Sequence, residues 1–285
     1  MIAVTGANGQ LGRLVLKHLA GLTAEPVRAL VRSPEKAGDL ATDQVSVVKA
    51  DYDDSATLPA ALEGVERLLL ISGSEVGKRA PQHKAVIDAA KAAGVRFIVY
   101  TSLLNVPQSS LQLGVEHAET ERMLRESGIA HAVLRNGWYI ENFGGTVAAA
   151  LAHGAVAGAS GDGKFSAAGR EDYAEAAART VAGSDLSTRA LELGGSPAFS
   201  LADLAAELSS QSGREIPFNN LPEATYAGIL VQAGLPEGFA NVLADSDRGA
   251  SQGELFTTST ALEDLIGHPT RSLSDFISES LKANA

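Results

Sequence analysis

The fold this sequence predicts is a doubly wound parallel α/β sheet with a smaller α+β lobe toward the C-terminus, and three observations predict it. Short apolar runs bounded by turn residues alternate with stretches of helical periodicity through the first half of the 285 residues. Those runs are nearly continuous rather than alternating, as strands covered on both faces require. The first of them, Met1-Ile2-Ala3-Val4, passes through a glycine-rich turn into a stretch carrying Leu11, Val15, Leu16 and Leu19 at helical spacing.

Further strands are expected at Val27–Val31, Val45–Lys49, Arg67–Ile71, Phe97–Thr101 and Ala132–Leu134. Between them Ser33–Leu40, Ser55–Leu62, Lys78–Ala93 and His117–Ser127 read as helices, with Ser33 and Ser55 as N-caps and Gly94 and Gly128 as C-terminal stops. From Trp138 onward the pattern loosens, and Gly144-Gly145 and Gly158–Gly163 break the periodicity. Asp172–Ala182, Leu201–Gln211, Ala224–Ala233 and Phe239–Ala244 are helical, and Ala190–Gly194 and Ile216–Leu221 resemble strands. Residues 1–143 are therefore expected to form a dinucleotide-binding domain of Rossmann type. Residues 144–285 would form a smaller lobe over its crevice, some segments returning to the main sheet.

Composition narrows the chemistry. The chain has no cysteine, which excludes disulfides, thiolate catalysis and cysteine-ligated zinc or iron–sulfur clusters, so redox chemistry must come from a bound cofactor. A formal net charge of −11 argues against a general nucleic-acid surface, which needs clustered Lys and Arg. Apolar runs fall short of the ~18 residues that span a bilayer, and a cytoplasmic protein, monomer or homodimer, is expected. The histidines, among them His83, His117, His131, His153 and His268, are scattered, and no metal site is expected.

The turn Gly6-Ala7-Asn8-Gly9-Gln10-Leu11-Gly12 has the form of a pyrophosphate cradle. Gly6 can adopt backbone angles closed to other residues, Gly9 lets the chain approach a ligand, and Gly12 would let the helix pack closely on the sheet. Helix N-terminal N–H groups and the helix dipole then face the phosphates. Arg32 ends the second strand, twenty residues past Gly12, where an acidic residue would read the ribose hydroxyls of NAD. An arginine there favours the 2′-phosphate of NADP(H), and Lys36 can add a second positive charge. Asp51 follows the third strand, placed to accept from the adenine amine or to cap the turn Asp51–Ser55. Gly73-Ser74-Glu75, after the fourth strand, lets the backbone pass close to the nicotinamide-side ribose and offers hydroxyl donors.

Tyr100-Thr101-Ser102 ends the fifth strand, where a short-chain dehydrogenase carries its catalytic serine. The Tyr and Lys that continue that relay are absent: the following helix reads Gly114-Val115-Glu116-His117-Ala118-Glu119-Thr120-Glu121. His117, read as lying at a helix start, is its one group titrating near neutrality, able to protonate a developing oxyanion or simply to face solvent. Trp138-Tyr139-Ile140-Glu141-Asn142-Phe143, past the sixth strand, holds the only Trp of the chain, suited to shield a nicotinamide, to stack on a flat substrate or to plug the junction of the lobes. Phe165, Phe218 and Tyr226 are expected among the substrate pocket walls.

The strings Leu30-Val31-Arg32, Ile71-Ser72-Gly73-Ser74-Glu75-Val76-Gly77, Tyr100-Thr101-Ser102-Leu103-Leu104 and Leu134-Arg135-Asn136-Gly137-Trp138-Tyr139-Ile140-Glu141-Asn142, with the glycine turn, resemble the NmrA-like atypical short-chain dehydrogenases. Within them the chain is similar to the group of NAD(P)H:quinone oxidoreductases and triphenylmethane reductases. The resemblance implies a flavin-free enzyme that passes hydride from NADPH to a quinone or other conjugated acceptor. It implies cofactor contacts from Gly6 to Leu11, Arg32, Gly73 to Glu75 and Trp138 to Phe143. Asn8 departs from the threonine frequent in the group, and the missing Tyr-Lys pair is typical of it. A proton would come from solvent, His117 or Tyr139. A dinucleotide-sensing regulator without turnover, as other NmrA-like proteins are, is the alternative.

Overall fold

A computed structural model describes residues 1–283. In chain order the elements are β1 (Ile2–Val4), α1 (Gln10–Leu22), β2 (Val27–Val31), β3 (Val45–Lys49), α2 (Leu58–Leu62), β4 (Arg67–Leu70), α3 (Arg79–Ala92), β5 (Phe97–Leu103), α4 (Gln112–Ser127) and β6 (Ala130–Asn136). They continue as α5 (Gly144–His153), β7 (Val156–Gly158), β8 (Lys164–Phe165), α6 (Arg170–Ala182), β9 (Arg189–Leu193), β10 (Phe199–Ser200), α7 (Leu201–Ser212), β11 (Phe218–Asn220), α8 (Glu223–Gln232), α9 (Glu237–Ser251), α10 (Ala261–Ile266) and α11 (Leu273–Ala283).

Seven strands form the main sheet in the order β3-β2-β1-β4-β5-β6-β9. The pairings from β3 through β6 are parallel, with Ile2 opposite Val27 on one side and Arg67 on the other, and Tyr100 opposite Leu70 and Val133. The order reverses at β1, which places the topological switch point at the carboxyl end of that strand, beside the glycine turn. Leu68, Leu70, Ile98, Tyr100 and Val133 of the sheet pack with Leu58 and Leu62 of α2, Val86, Ile87 and Ala90 of α3 and Leu124 of α4 in one buried cluster. At ~25 cal/mol per Å² of buried apolar area, this layer contributes to the stability of the sheet on which the site stands.

The chain divides into two units, neither continuous in sequence. The first comprises Met1–Val106, Glu116–Asn136 and Glu171–Leu191; the second comprises Pro107–Val115, Gly137–Arg170 and the chain from Glu192 onward. In the second unit β7 pairs in parallel with β11 and β8 pairs antiparallel with β10. Among the described residues no helix is long and apolar enough to cross a membrane, and no group of His, Asp and Glu has metal-binding geometry.

Several local expectations are corrected. Ser33–Leu40 forms two short 3-10 turns, Pro34–Lys36 and Gly38–Leu40, instead of a helix. Pro34 and Gly38 within a few residues disfavour a continuous helix there. Ser33 makes no capping bond, and Ser55 lies inside a 3-10 turn that precedes α2. Helix α4 starts at Gln112, five residues before His117, and Gly144-Gly145 opens α5 rather than breaking the periodicity. Gly94 and Gly128 follow α3 and α4 with φ of 77° and 75°, as helix-stopping glycines do. Helix α9 runs to Ser251, well past the expected Ala244.

Candidate functional site

The glycine turn is built from backbone alone. Gly6 has φ of +58°, a left-handed conformation that a Cβ penalises, and Gly9 donates its N–H to the Gly6 carbonyl at 2.9 Å. Gly9 is the N-cap of α1 and has no side chain to offer, and the first turn of the helix carries no acidic residue. The first N–H groups of α1 are therefore left without a side-chain cap beside a positive helix end, which is what an anion requires. A Cβ on Gly12 would overlap the Gly6 carbonyl oxygen and stand 2.7 Å from Ala7 Cα. Gly12 thus lets the helix close on the turn itself, a correction to its expected packing on the sheet. Ala7 and Leu11 are buried and present only backbone, whereas Gly6, Gly9 and Gln10 are exposed. Below the turn Thr5 Oγ1 donates to the Leu69 carbonyl and accepts from the Ile71 N–H at 3.0 Å, tying the ends of β1 and β4 together.

Arg13, which the sequence reading passed over, braces the turn: it bonds Asn8 Oδ1 at 2.5 Å and Asp39 at 2.5 Å. Asn8 Nδ2 donates to the Lys36 carbonyl at 3.5 Å. Arg32 directly follows β2 with its side chain 67% exposed and its Nη1 3.1 Å from Glu75 Oε1; Lys36 is exposed in the first 3-10 turn beyond it. Asp51 accepts the Asp53 N–H at 3.1 Å while its own N–H donates to Thr57 Oγ1, so the turn-capping role is realised. The neighbouring Tyr52 phenol is buried under the sheet end, which pushes its pKa up to about 12.

The β4–α3 loop is shaped instead by buried polar side chains. Gly73 N–H donates to His83 Nε2 at 3.0 Å, and the Gly73 carbonyl accepts from Arg79 Nε at 2.8 Å. A Cβ on Gly73 would press on Gln82 Oε1 at 3.3 Å. Arg79, 6% exposed, pairs through Nη1 with Glu116 of α4 at 3.0 Å, and the other Glu116 oxygen accepts the Gly77 N–H at 3.0 Å. Thr120 donates to the Glu116 carbonyl, so its oxygen accepts from His83 Nδ1–H at 2.9 Å. That network fixes His83 as the neutral Nδ1–H tautomer. Burial, reinforced by Arg79, pulls its pKa down to about 3. Ser72 N–H donates to Thr101 Oγ1 at 2.9 Å, joining the loop to β5; Ser74 is exposed.

His117 is corrected from a titrating group at a helix start to a residue inside α4, 7% exposed, with Nδ1 2.7 Å from the Tyr100 phenol oxygen. Desolvation first, then Arg79 and His83, holds its pKa well below the ordinary histidine value, so it is neutral and has no proton to give at pH 7. Tyr100, fully buried, is pushed up by the same desolvation. Ser102 lies within β5 and donates to Glu121 Oε1 at 2.8 Å, and Glu121 in turn pairs with Arg135 at 2.7 Å. It is committed to this buried pair, unlike a catalytic serine.

In the second unit the Trp138–Phe143 segment bridges to Ala168: Ala168 N–H donates to the Trp138 carbonyl and Ile140 N–H to the Ala168 carbonyl at 2.9 Å. Ile140 and Phe143 belong to this unit's core, Phe143 meeting Phe165 and Phe199 edge-on at 5.2 and 5.4 Å. Trp138 and Tyr139 are half-buried, Asn142 is exposed, and the Arg170 guanidinium lies 4.8 Å over the Tyr139 ring. Glu141 accepts the Arg170 N–H at 3.0 Å and pairs with Arg271. Phe165 and Tyr226 are buried, the former a core residue rather than a pocket wall, while Phe218 is half-buried. Asp247, unforeseen, is buried beside Tyr226 and accepts the Ala159 N–H; desolvation raises its pKa to about 6.

The buried clamp of the β4–α3 loop left one signal in the sequence. Val86, Ile87 and Ala90 define the core stripe of α3, and the same stripe read backward places Arg79, Gln82 and His83 on the buried face. Polar residues in a core register are satisfied by partners, and here those partners hold the loop.

Residues 1–273 match the NmrA-like family. The chain is 53% identical over 285 residues to quinone oxidoreductase 2 of Escherichia coli strain K12, covering 100% of both chains. The crystal structure of the NADPH-dependent quinone oxidoreductase QOR2 from Escherichia coli, complexed with NADPH, superimposes with a TM-score of 0.96 at 53% identity over 99% of this chain and 100% of that one. The Citrobacter sp. triphenylmethane reductase complexed with NADP(H) superimposes at 0.93 with 34% identity over 98% and 100%. By sequence over nearly its whole length and by fold, the chain belongs to the NmrA-like family.

Proposed function

We infer that this protein is an NADPH-dependent, flavin-free oxidoreductase that reduces a quinone or a similarly conjugated acceptor. The observation that carries the reading is the full-length 53% identity to a quinone oxidoreductase, together with a glycine turn that leaves an uncapped helix end for a pyrophosphate. NADP(H) fits the residues present: backbone from Gly6 to Leu11 and Asn8 Nδ2 for the pyrophosphate, and Arg32 with Lys36 for the 2′-phosphate. Asp51 lies at the adenine side, and Gly73, Ser74 and Glu75 at the second ribose. The family resemblance also implies cofactor contacts from Trp138, Tyr139, Ile140, Glu141, Asn142 and Phe143. When bound, NADPH supplies the hydride.

The chain's own contribution is placement. Buried Arg79 and His83 with half-buried Glu116 hold the Gly73–Gly77 backbone in one shape, so the cofactor meets a preformed surface and loses less entropy on reaction. His117 and Tyr100 are sealed and neutral, so neither stands ready to give a proton. A conjugated acceptor spreads the incoming negative charge and takes its proton from solvent.

The test is NADPH absorbance at saturating menadione, benzoquinone or a triphenylmethane dye, with flavin-free protein and NADH in parallel. Loss of absorbance that requires both protein and acceptor, with NADPH preferred, is the expected result. Tight NADPH binding without turnover on any acceptor would instead mark a cofactor-sensing regulator.

A further inference from the structure

Arg32 follows β2, Glu75 lies five residues beyond β4, and β1 runs between those two strands. Their ion pair, 3.1 Å from Nη1 to Oε1, therefore links the carboxyl ends of the strands that flank the glycine turn, across two strand spacings or roughly 10 Å. The second Glu75 oxygen stands 3.3 Å from Lys78 Nζ. One carboxylate thus sits between two cations, one of them the arginine assigned to the 2′-phosphate.

We propose that Glu75 sets cofactor selectivity by competing with the 2′-phosphate of NADP(H) for Arg32. This rests on the assignment of Arg32 under the proposed function. A guanidinium offers one planar fork, and a carboxylate or a phosphate can take it. A phosphate monoester carries about −1.5 to −2 at neutral pH, so it displaces the singly charged carboxylate, and Lys78 retains Glu75 as it leaves. Exchange is open to this pair because both members are solvated, 67% and 38% exposed. The Arg79–Glu116 pair at the same loop, 6% and 15% exposed, is closed to it. NADH has no phosphate and leaves the Arg32–Glu75 pair in place. Glu75 therefore holds the preference for NADPH below what Arg32 alone would confer and hastens release of the phosphorylated cofactor.

The experiment measures Kd and dissociation rate for NADPH and NADH in the wild type, Glu75→Gln, Arg32→Ala and the double variant, with thermal melts to verify folding. Glu75→Gln is expected to raise the preference for NADPH over NADH about two- to fivefold, the range of an exposed ion pair, with NADPH dissociation slowed relative to that of NADH. In the Arg32→Ala background the effect on NADPH is expected to vanish. An unchanged NADPH-to-NADH ratio in Arg32→Ala overturns the assignment of Arg32 itself. If Arg32→Ala lowers that ratio but Glu75→Gln leaves it unchanged, the competition is overturned. An equal gain with and without Arg32 also overturns it, since the effect is then long-range charge.

Discussion

Two loops at the carboxyl edge of one sheet are made by opposite means. The glycine turn after β1 is shaped by the lack of side chains, with a left-handed Gly6, an uncapped Gly9 and a Gly12 that admits no Cβ. The β4–α3 loop is shaped by buried charged and polar groups from α3 and α4, with Arg79, His83 and Glu116 each bonded to its backbone. A turn that must present free N–H groups cannot have side chains capping them, whereas a loop whose own carbonyls and N–H groups lie partly buried needs partners for them. The first loop leaves its helix end without a side-chain cap; the second has its groups bonded by side chains from α3 and α4.

Breaking the second loop should cost most. Arg79→Met leaves the Glu116 carboxylate buried without its cation, and about 3–5 kcal/mol of stability is expected to go, read from the denaturant midpoint at constant slope. A loss under ~1 kcal/mol would mean that the pair is solvated and the loop not clamped.

The glycine turn should break more locally. Gly12→Ala forces the new Cβ into Gly6 and Ala7, with an expected loss of ~1–3 kcal/mol in stability and a larger proportional loss of NADPH affinity by calorimetry. Arg32→Ala, at the rim, should leave stability unchanged within ~0.5 kcal/mol while weakening NADPH about tenfold more than NADH, the worth of a charge-assisted bond to phosphate.

A pH titration sharpens the comparison without a mutation. His83 titrates at about 3 in the folded protein against 6.5 unfolded, so its contribution is fully present above pH 6.5 and is lost as pH falls toward 3. His117 has the same sign. Between pH 6.5 and 4.5 each such histidine should lower stability by about 1.4 kcal/mol per pH unit of acidification, and Asp247, raised to about 6, works in the opposite direction below that pH. His83→Asn should flatten that slope; an unchanged slope would mean that His83 is not sealed. Smallest of all, Tyr139→Phe should keep kcat within about twofold if solvent supplies the proton, against the hundredfold or greater loss expected of a general acid.

The difference between the loops is also a difference in legibility. Gly6, Gly9, Arg32 and the order of strands and helices were readable because each depends on residues close in sequence: a turn, a strand end, a periodic stripe. The expected helix over Ser33–Leu40 is instead two 3-10 turns, Pro34–Lys36 and Gly38–Leu40, because Pro34 and Gly38 disfavour a continuous helix and little apolar surface is there to fix one. His117 was misread because its Tyr100 partner lies on a strand, 17 residues away, that only packing brings against α4. Arg13 was passed over because its target Asp39 is 26 residues distant.

By itself the sequence determined the parallel sheet, the glycine turn, the basic residue at the end of β2 and the family, since backbone freedom, periodicity and motif strings are local properties of the chain. Only the tertiary structure decided which polar groups are sealed, which histidine tautomer is held and which carboxylate each arginine takes. Burial and hydrogen-bond partnership depend on what the fold brings near, and Arg79 and Glu116, 37 residues apart, become partners only when α3 and α4 lie side by side on the sheet.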